Sequence, residues 1–286
     1  MAQASGGTKV ILLGTGTPNP DPEHSGPAVV VLANEQPYLF DFGAGVVRQA
    51  AAMSPQWGGK YPGMAVKNLR VAFLTHLHSD HTVGLADLIL TPWVMGRNKS
   101  LELYGPEGTG NMAKHILKAY EEDIRYRIYG AQPANDSGWR VNAHEINEGR
   151  VYQDDHVTVT AFHVQHGTWP NAFGYRVETG DKVIVISGDT RPCESLLRYG
   201  QGADILVHEV YSMKGFLKKD EFWQKYHAAN HTSTYELADI ANKLKPEKLV
   251  LYHILFWGAT PGEILSEIHR TYDGEVIVGE DLMIVE

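Results

Sequence analysis

A run of seven residues that begins at Thr75 reads Thr-His-Leu-His-Ser-Asp-His. The four apolar residues just before it predict a buried strand, in which residues i and i+2 point the same way. We therefore expect His76 and His78 to converge at the strand end, while Asp80 and His81 face a second point nearby. Because neutral imidazole and carboxylate are the usual ligands of Zn²⁺, the run predicts a metal site. Its layout suits two adjacent ions better than one.

Further residues of ligand type follow apolar strand patterns elsewhere in the chain. His166 comes after the strand that ends at Val164, Asp189 follows a Val/Ile strand in the run Ser-Gly-Asp-Thr, and His253 follows Leu-Val-Leu-Tyr. Side chains at strand ends leave the core and can meet in a cleft. The metal ligands predicted from the sequence are His76, His78, Asp80, His81, His166, Asp189 and His253.

Composition limits the classes of protein and partner. Hydrophobic residues make up 43% of the 286 residues, which is ample for a large core, and we see no linker, so we expect a single domain over 1–286. The 34 acidic and 25 basic residues leave a formal charge of −9, which opposes the attraction that dominates non-specific nucleic-acid binding. A local basic patch stays compatible with this balance.

Cysteine content and hydropathy bear on compartment. The single cysteine, Cys193, excludes an internal disulfide framework and a thiolate-rich zinc site. No run of 18 apolar residues occurs, so we expect no transmembrane helix. The sequence reads as cytoplasmic. Residues 2 to 5, Ala-Gln-Ala-Ser, nevertheless resemble the end of a cleaved leader, which would make the protein periplasmic or secreted.

Strand and helix patterns alternate in clusters, which favours sheets packed together and covered by helices. Strands are predicted at 9–13, 28–33, 38–42, 70–75, 157–164, 173–178, 182–187, 204–207, 248–252 and 275–278. Helices are predicted near 46–53, 83–95, 108–122, 192–199, 234–245 and 262–270. The fifth helix is the best marked, because Ser233 and Glu236 have capping-box spacing and Pro246 ends it. The segment 212–231 is predicted to be the longest irregular loop.

With these residues in place, the chain resembles the metallo-β-lactamase superfamily, whose HxHxDH signature matches the run from His76 to His81. The resemblance implies an α/β fold, a four-layer αββα sandwich, over nearly the whole chain. It implies two metals, one held by His76, His78 and His166 and the other by Asp80, His81 and His253, with Asp189 and a hydroxide as bridges. Zn²⁺ is the expected metal, while Mn²⁺ or Fe would accept similar ligands.

Other motifs resemble the ribonuclease Z branch and the arylsulfatase-like hydrolases related to it. They are Leu-Gly-Thr-Gly-Thr-Pro at 13–18, the Asp41-Phe-Gly-Ala-Gly turn, the pair His208-Glu209 and the run His231-Thr-Ser-Thr. The resemblance implies that Glu209 and His231 form a proton relay at the leaving group. With Asp80, which is also a ligand, they are the predicted catalytic residues. For Asp41 we expect a hydrogen bond to the metal-binding loop instead of direct ligation.

One departure from the family pattern limits the choice of substrate class. Ribonuclease Z usually carries a long arm for gripping tRNA, in bacterial members between the third ligand histidine and the bridging aspartate, but here only 22 residues separate His166 from Asp189. This argues for a small-molecule ester of phosphoric or sulfuric acid as substrate and against nucleic acid. The residues predicted to bind substrate are Trp169, Trp223, His24 and His227.

Several alternatives stay open at this point. The same dinuclear centre could serve a lactonase or β-lactamase, a tRNA 3′-processing endonuclease, or be retained in a non-catalytic scaffold. The filled ligand set argues against a scaffold, because scaffold members lose ligands. A homodimer is compatible with the sequence, and no membrane partner is expected.

Overall fold

The computed structural model describes residues 7–132 and 134–286, so the leader-like residues 2 to 5 lie outside the described part. The described strands are β1 (Lys9–Gly14), β2 (Ala28–Ala33), β3 (Gln36–Phe40), β4 (Val71–Phe73), β5 (Leu101–Gly105), β6 (Val141–Glu145), β7 (Gly149–Gln153), β8 (Val157–His163), β9 (Phe173–Thr179), β10 (Val183–Ile186), β11 (Ile205–Tyr211), β12 (Lys248–Leu255), β13 (Val276–Val278) and β14 (Met283–Val285). The described α-helices are α1 (Val46–Met53), α2 (Ser79–Thr82), α3 (Leu85–Val94), α4 (Thr109–Ala119), α5 (Glu121–Tyr129), α6 (Glu194–Tyr199), α7 (Met213–Phe216), α8 (Glu221–Asn230), α9 (Thr234–Leu244) and α10 (Pro261–Ile268).

The chain divides into two compact units, each built on one sheet. The first unit takes the described residues up to Gly14 together with 18–146 and 281–286, and the second takes 15–17 and 147–280. The single domain expected over 1–286 stays a prediction. None of the helices within the described residues has the length and apolar character needed to cross a membrane.

In the first unit, seven strands are ordered β14-β1-β2-β3-β4-β5-β6. Pairing is antiparallel from β14 to β3 and parallel from β3 to β6. Helices α1 and α3 bury apolar residues at helical spacing, such as Leu85, Leu88 and Ile89, against strand residues such as Leu39 and Ala72. Since β3, β4 and β5 run parallel, their carboxyl ends share one edge, and the HxHxDH run begins there, just after β4.

In the second unit, seven strands are ordered β13-β12-β11-β10-β9-β8-β7. Strands β10 to β13 are parallel and β7 to β10 are antiparallel. Helices α6, α9 and α10 cover a core that includes Leu196, Leu237 and Ile264. The parallel strands place the residues after β10 and those near the carboxyl ends of β11 and β12 at one edge of this sheet.

Most predicted elements are confirmed, with boundary shifts of a few residues. Helix α9 has the predicted capping box of Ser233 and Glu236, and it ends where Lys245 takes a left-handed φ of 49° before Pro246. The short strands β5, β6, β7 and β14 were not predicted, and β6 exposes four of its five residues. The predicted loop at 212–231 is wrong, because it contains α7 and α8.

Candidate metal centre

The first cluster consists of His76, His78, Asp80 and His81, in the first unit. His76 and His81 are fully buried, and Nε2 of His76 lies 3.0 Å from Nδ1 of His78. Two nitrogens bound to one tetrahedral Zn²⁺ at about 2.0 Å are separated by roughly 3.3 Å, so this pair fits a shared ion. The convergence expected from the i, i+2 spacing is present.

Asp41 supports the first cluster through hydrogen bonds to Thr75 and His81. It is 2% exposed, adopts a left-handed φ of 58°, and accepts hydrogen bonds from the backbone N–H and the hydroxyl of Thr75 at 2.8 and 2.9 Å. Nδ1 of His81 lies 2.8 Å from its Oδ2 and, facing a carboxylate, must be the donor. This leaves Nε2 of His81 on the side of Asp80, whose Oδ2 is 3.4 Å away. Such a carboxylate fixes the tautomer of a metal-binding histidine, and the expected role of Asp41 is confirmed.

The turn that carries Asp41 needs a glycine because the backbone approaches the first cluster closely. A Cβ atom on Gly43 would lie 2.6 Å from the carbonyl oxygen of Asp80, closer than real Cβ contacts allow. The N–H of Phe42 also donates to the carbonyl of His81 at 3.0 Å. The glycine-rich turn therefore packs directly against the loop that carries the ligands.

The second cluster, in the second unit, consists of His166, Asp189, Glu209, His231 and His253. All five are at least 92% buried, with His231 the most exposed at 7–8%. The ligand atoms of His166, Asp189 and His231 lie within 4.8 Å of one another, and so do those of Glu209, His231 and His253. Oδ2 of Asp189 is 3.5 Å from Nε2 of His253 and 4.0 Å from Nδ1 of His231. This donor set of imidazoles and carboxylates suits a divalent metal.

Two local features aim the histidines of the second cluster. Nδ1 of His166 donates to the carbonyl oxygen of Asn230 at 2.8 Å, which leaves Nε2 as its ligand atom. His253 has a left-handed φ of 45° and sits at a register shift in β12, where Glu209 still pairs with Tyr252 but Val210 already pairs with Ile254. Such a bulge re-aims a side chain at a site, at a cost in backbone strain.

Glu209 is fully buried beside His231. Its Oε1 accepts the N–H groups of Thr190 and Thr232 at 3.3 and 3.0 Å and lies 3.4 Å from Nδ1 of His231. Within the described residues, its Oε2 has no hydrogen-bond partner. Burial, followed by the negative charge of Asp189, raises the pKa of Glu209 well above its ordinary value of 4.5. Glu209 is therefore placed to interact with the imidazole of His231 beside Asp189.

The residues predicted to bind substrate fall in different places. His227 and Trp223 lie on α8, with the His227 ring 5.8 Å from that of His231. Trp169 follows His166 and packs on the core of the second unit. His24, in the first unit, lies 3.9 Å from Asp281, whose carboxylate also accepts the N–H of Ser25.

Sequence reasoning missed the groups that orient the second cluster. The carbonyl of Asn230 and the N–H groups of Thr190 and Thr232 are backbone atoms, which carry no signature in a sequence. Glu267 on α10 was also missed. Its carboxylate accepts the N–H groups of Met213 and Lys214 and the hydroxyl of Thr234, so it ties the segment after β11 to the start of α9.

A family model described as a β-lactamase superfamily domain matches residues 37–254. The chain belongs to this superfamily. Among similar proteins, this superfamily member is 34% identical over 284 residues to ribonuclease Z of Mycobacterium bovis (strain BCG / Pasteur), a match that covers 97% of this chain and 98% of the relative. The predicted resemblance to the ribonuclease Z branch is thereby confirmed, while the arylsulfatase-like assignment stays a prediction.

Solved structures show the same fold. The metallo-β-lactamase fold protein YhfI from Bacillus subtilis matches with a TM-score of 0.73 at 18% identity, over 98% of this chain and 100% of that one. Human tRNase Z, short form, matches with a TM-score of 0.68 at 23% identity, over 97% and 98%. The predicted fold class, an α/β sandwich of the metallo-β-lactamase type, is confirmed, and this superfamily member is a metal-dependent hydrolase.

Proposed function

We propose that both clusters serve one dinuclear centre that hydrolyses phosphoric esters, phosphodiesters above all. One metal would be held by His76, His78 and His166. The other would be held by Asp80, His81 and His253, with Asp189 shared between the two. Zn²⁺ is the proposed ion, because imidazole and carboxylate ligands suit it. When bound, the metals supply a water of lowered pKa and polarise the ester.

The observation that carries this proposal lies in the second cluster. A histidine that is not among the seven proposed ligands, His231, has its Nδ1 3.4 Å from the buried Glu209 and 4.0 Å from Asp189. A leaving alkoxide needs a proton as its bond breaks, and a histidine backed by a buried carboxyl can donate it. This arrangement suits an ester with a poor leaving group such as an alkoxide, whereas an activated aryl ester does not need a proton donor.

Phosphoric esters take precedence over sulfuric esters because of the relatives. A ribonuclease acts on RNA, whose linkages are phosphodiesters, and the ribonuclease Z of M. bovis is similar along nearly its whole length. A sulfuric ester stays an alternative for the same chemistry, as does a lactone or β-lactam. The filled ligand set favours any of these over a non-catalytic scaffold.

Processing of tRNA 3′ ends is the second candidate function, and the same relative favours it. The match of 284 residues spans 98% of that ribonuclease Z, so the relative has almost the length of this chain. The short separation of His166 and Asp189 therefore weighs less against RNA than the sequence alone suggested. The formal charge of −9 still argues for a substrate that engages few phosphates at once.

A panel of substrates tests the proposal on the Zn²⁺-reconstituted protein. The panel contains bis(p-nitrophenyl) phosphate, an aryl sulfate, a lactone, a cephalosporin and a precursor tRNA. We expect the highest kcat/KM among the phosphodiesters and its loss in His76→Ala, with His115→Ala, an exposed histidine of the first unit, unchanged. A clear preference for the lactone or the cephalosporin would contradict the proposal. Efficient, salt-tolerant cleavage of precursor tRNA would move the second candidate to first place.

A further inference from the structure

Helix α8 exposes a row of aromatic rings that runs toward the second cluster. Phe222, Trp223 and Tyr226 are 69%, 46% and 40% exposed, which is unusual for neighbouring rings of this size. Trp223 lies nearly parallel to His227, four residues on, with ring centres 5.7 Å apart. His227 in turn lies 5.8 Å from His231 and 4.4 Å from Trp257. We call Phe222, Trp223, Tyr226, His227 and Trp257 the ring surface.

The ring surface is uncharged next to His231. Burial, followed by the positive charges of His231 and Lys219, lowers the pKa of His227 to about 4. Its imidazole is therefore neutral at physiological pH and presents an aromatic face, like its neighbours. A row of neutral rings of this kind offers faces for stacking and a few hydrogen-bonding groups at the ring edges, so it fits a planar group.

Basic residues flank the ring surface, although the whole chain is acidic. The segment 212–231 carries four lysines against two acidic residues. Nζ of Lys219 lies 4.0 Å above the ring of Trp257, which fixes a cation at the edge of the row. Lys225, on the exposed side of α8, lies 2.6 Å from Glu221. Rings interleaved with cations form the surface that binds unpaired nucleotides, since bases stack and phosphates pair with lysine.

We propose that the ring surface binds an unpaired nucleobase of a nucleotide substrate, next to the phosphodiester that the metal centre hydrolyses. The substrate class is then single-stranded RNA or a small nucleotide diester, and not a phosphate ester that lacks an aromatic base. The reaction at the neighbouring centre rests on the proposed function. Base binding itself does not, because it needs neither metal nor turnover.

Binding to the metal-free protein tests this proposal apart from hydrolysis. The probe is a fluorescein-labelled single-stranded RNA octamer, followed by anisotropy, and the comparison probe is the same octamer with abasic sites. We expect the intact octamer to bind at least tenfold more tightly than the abasic one, and Trp223→Ala to remove about tenfold of that affinity. Phe222→Ala should weaken binding in the same direction. Trp57→Ala, which removes a tryptophan of the first unit that is 67% exposed, is the matched control and should bind like wild type.

Three outcomes would overturn the proposal. Equal affinity for intact and abasic octamers would mean that only phosphates are recognised. Wild-type affinity in Trp223→Ala would place the base elsewhere. Dissociation of a dimer by Trp223→Ala with unchanged RNA affinity would show that a second copy of the chain covers these rings. A protein that binds the octamer through Trp223 but hydrolyses no phosphodiester would keep this inference and refute the proposed function.

Discussion

At the scale of single residues, two of the proposed histidine ligands have one ring nitrogen held by an oxygen acceptor. His81 uses the carboxylate of Asp41 and His166 uses the carbonyl of Asn230. The tautomer is thus set before any metal binds, and the remaining nitrogen is available as a ligand. The position of the first cluster followed from local spacing, because residues two apart on a strand share a side. Its partner Asp41, 40 residues away from His81, was found through the glycine-rich turn.

Asp41→Asn should weaken metal binding while the fold survives. Asparagine keeps the size of the side chain but removes the charge that holds the His81 tautomer, so we expect Zn²⁺ affinity to fall by about 10- to 100-fold. Competition with a chromophoric chelator measures this, and circular dichroism checks the fold. Asp239→Asn, on the exposed side of α9, is the control. Wild-type affinity in Asp41→Asn would remove Asp41 from the support of the site.

His231→Ala separates the proposed acid from the ligands. We expect both metals to be retained and the rate to fall by roughly 10²- to 10⁴-fold on diesters with alkoxide leaving groups, the usual size of general-acid catalysis. Bis(p-nitrophenyl) phosphate should suffer far less, because nitrophenolate leaves without a proton. Steady-state rates on both substrates and elemental analysis give the answer. Equal losses, or loss of metal, would show that His231 positions the substrate or acts as a ligand.

His208 should make the metal-free protein less stable in acid. Burial lowers the pKa of His208 from 6.5 to about 4, so the folded chain keeps this residue neutral where the unfolded chain protonates it. The free energy of unfolding is therefore unaffected by this residue above pH 6.5. It falls as the pH drops from 6.5 toward 4, where the loss amounts to about 3 kcal/mol. Urea unfolding at pH 7 and pH 4.5 should show a smaller acid loss in His208→Asn than in wild type. An equal loss in both proteins would contradict this origin.

At the scale of elements, α9 was predictable and α8 was not, for a physical reason. The capping box and apolar stripe of α9 are local features, with Leu237 and Ile240 turned into the core. Helix α8 exposes its largest apolar residues, Phe222 and Trp223, so no buried stripe marks it as a helix. Its start is capped by Asp220, which accepts the N–H of Trp223 at 3.0 Å. Because these exposed rings add little to the core, folding alone does not explain why α8 carries them.

Glu267 on α10 is expected to stabilise the second unit through contacts between elements. Its carboxylate is 6% exposed and accepts the N–H groups of Met213 and Lys214 at 2.9 and 2.8 Å. Glu267→Ala would leave these two partly buried N–H groups and the buried hydroxyl of Thr234 without this acceptor, at a cost of about 3 kcal/mol. Urea unfolding measures the change, and Glu275→Ala, at an exposed position, is the control. A loss below about 0.5 kcal/mol would show that water replaces the carboxylate.

At the scale of the whole molecule, clustered strand and helix patterns predicted sheets covered by helices, and the resemblance to a superfamily supplied the fold class; the set of metal ligands stays a prediction. The proton relay could not be predicted from local patterns. Glu209 and His231 are 22 residues apart, and only the resemblance to a family brought them together before the structure placed them 3.4 Å apart. Substrate choice is the least predictable, since the residues proposed to bind substrate, such as Trp223, are exposed and do not belong to the core.

Metal content, measured together with hydrolysis, tests most directly the claim that both clusters serve one dinuclear phosphodiesterase centre. Elemental analysis after reconstitution should give two Zn²⁺ per chain in wild type and in His115→Ala. His76→Ala and His253→Ala, one from each cluster, should each bind at most one and lose about 10³-fold or more of bis(p-nitrophenyl) phosphate hydrolysis. A wild-type protein that binds less than about one metal, or a His76→Ala variant with near-wild-type turnover, would contradict the account.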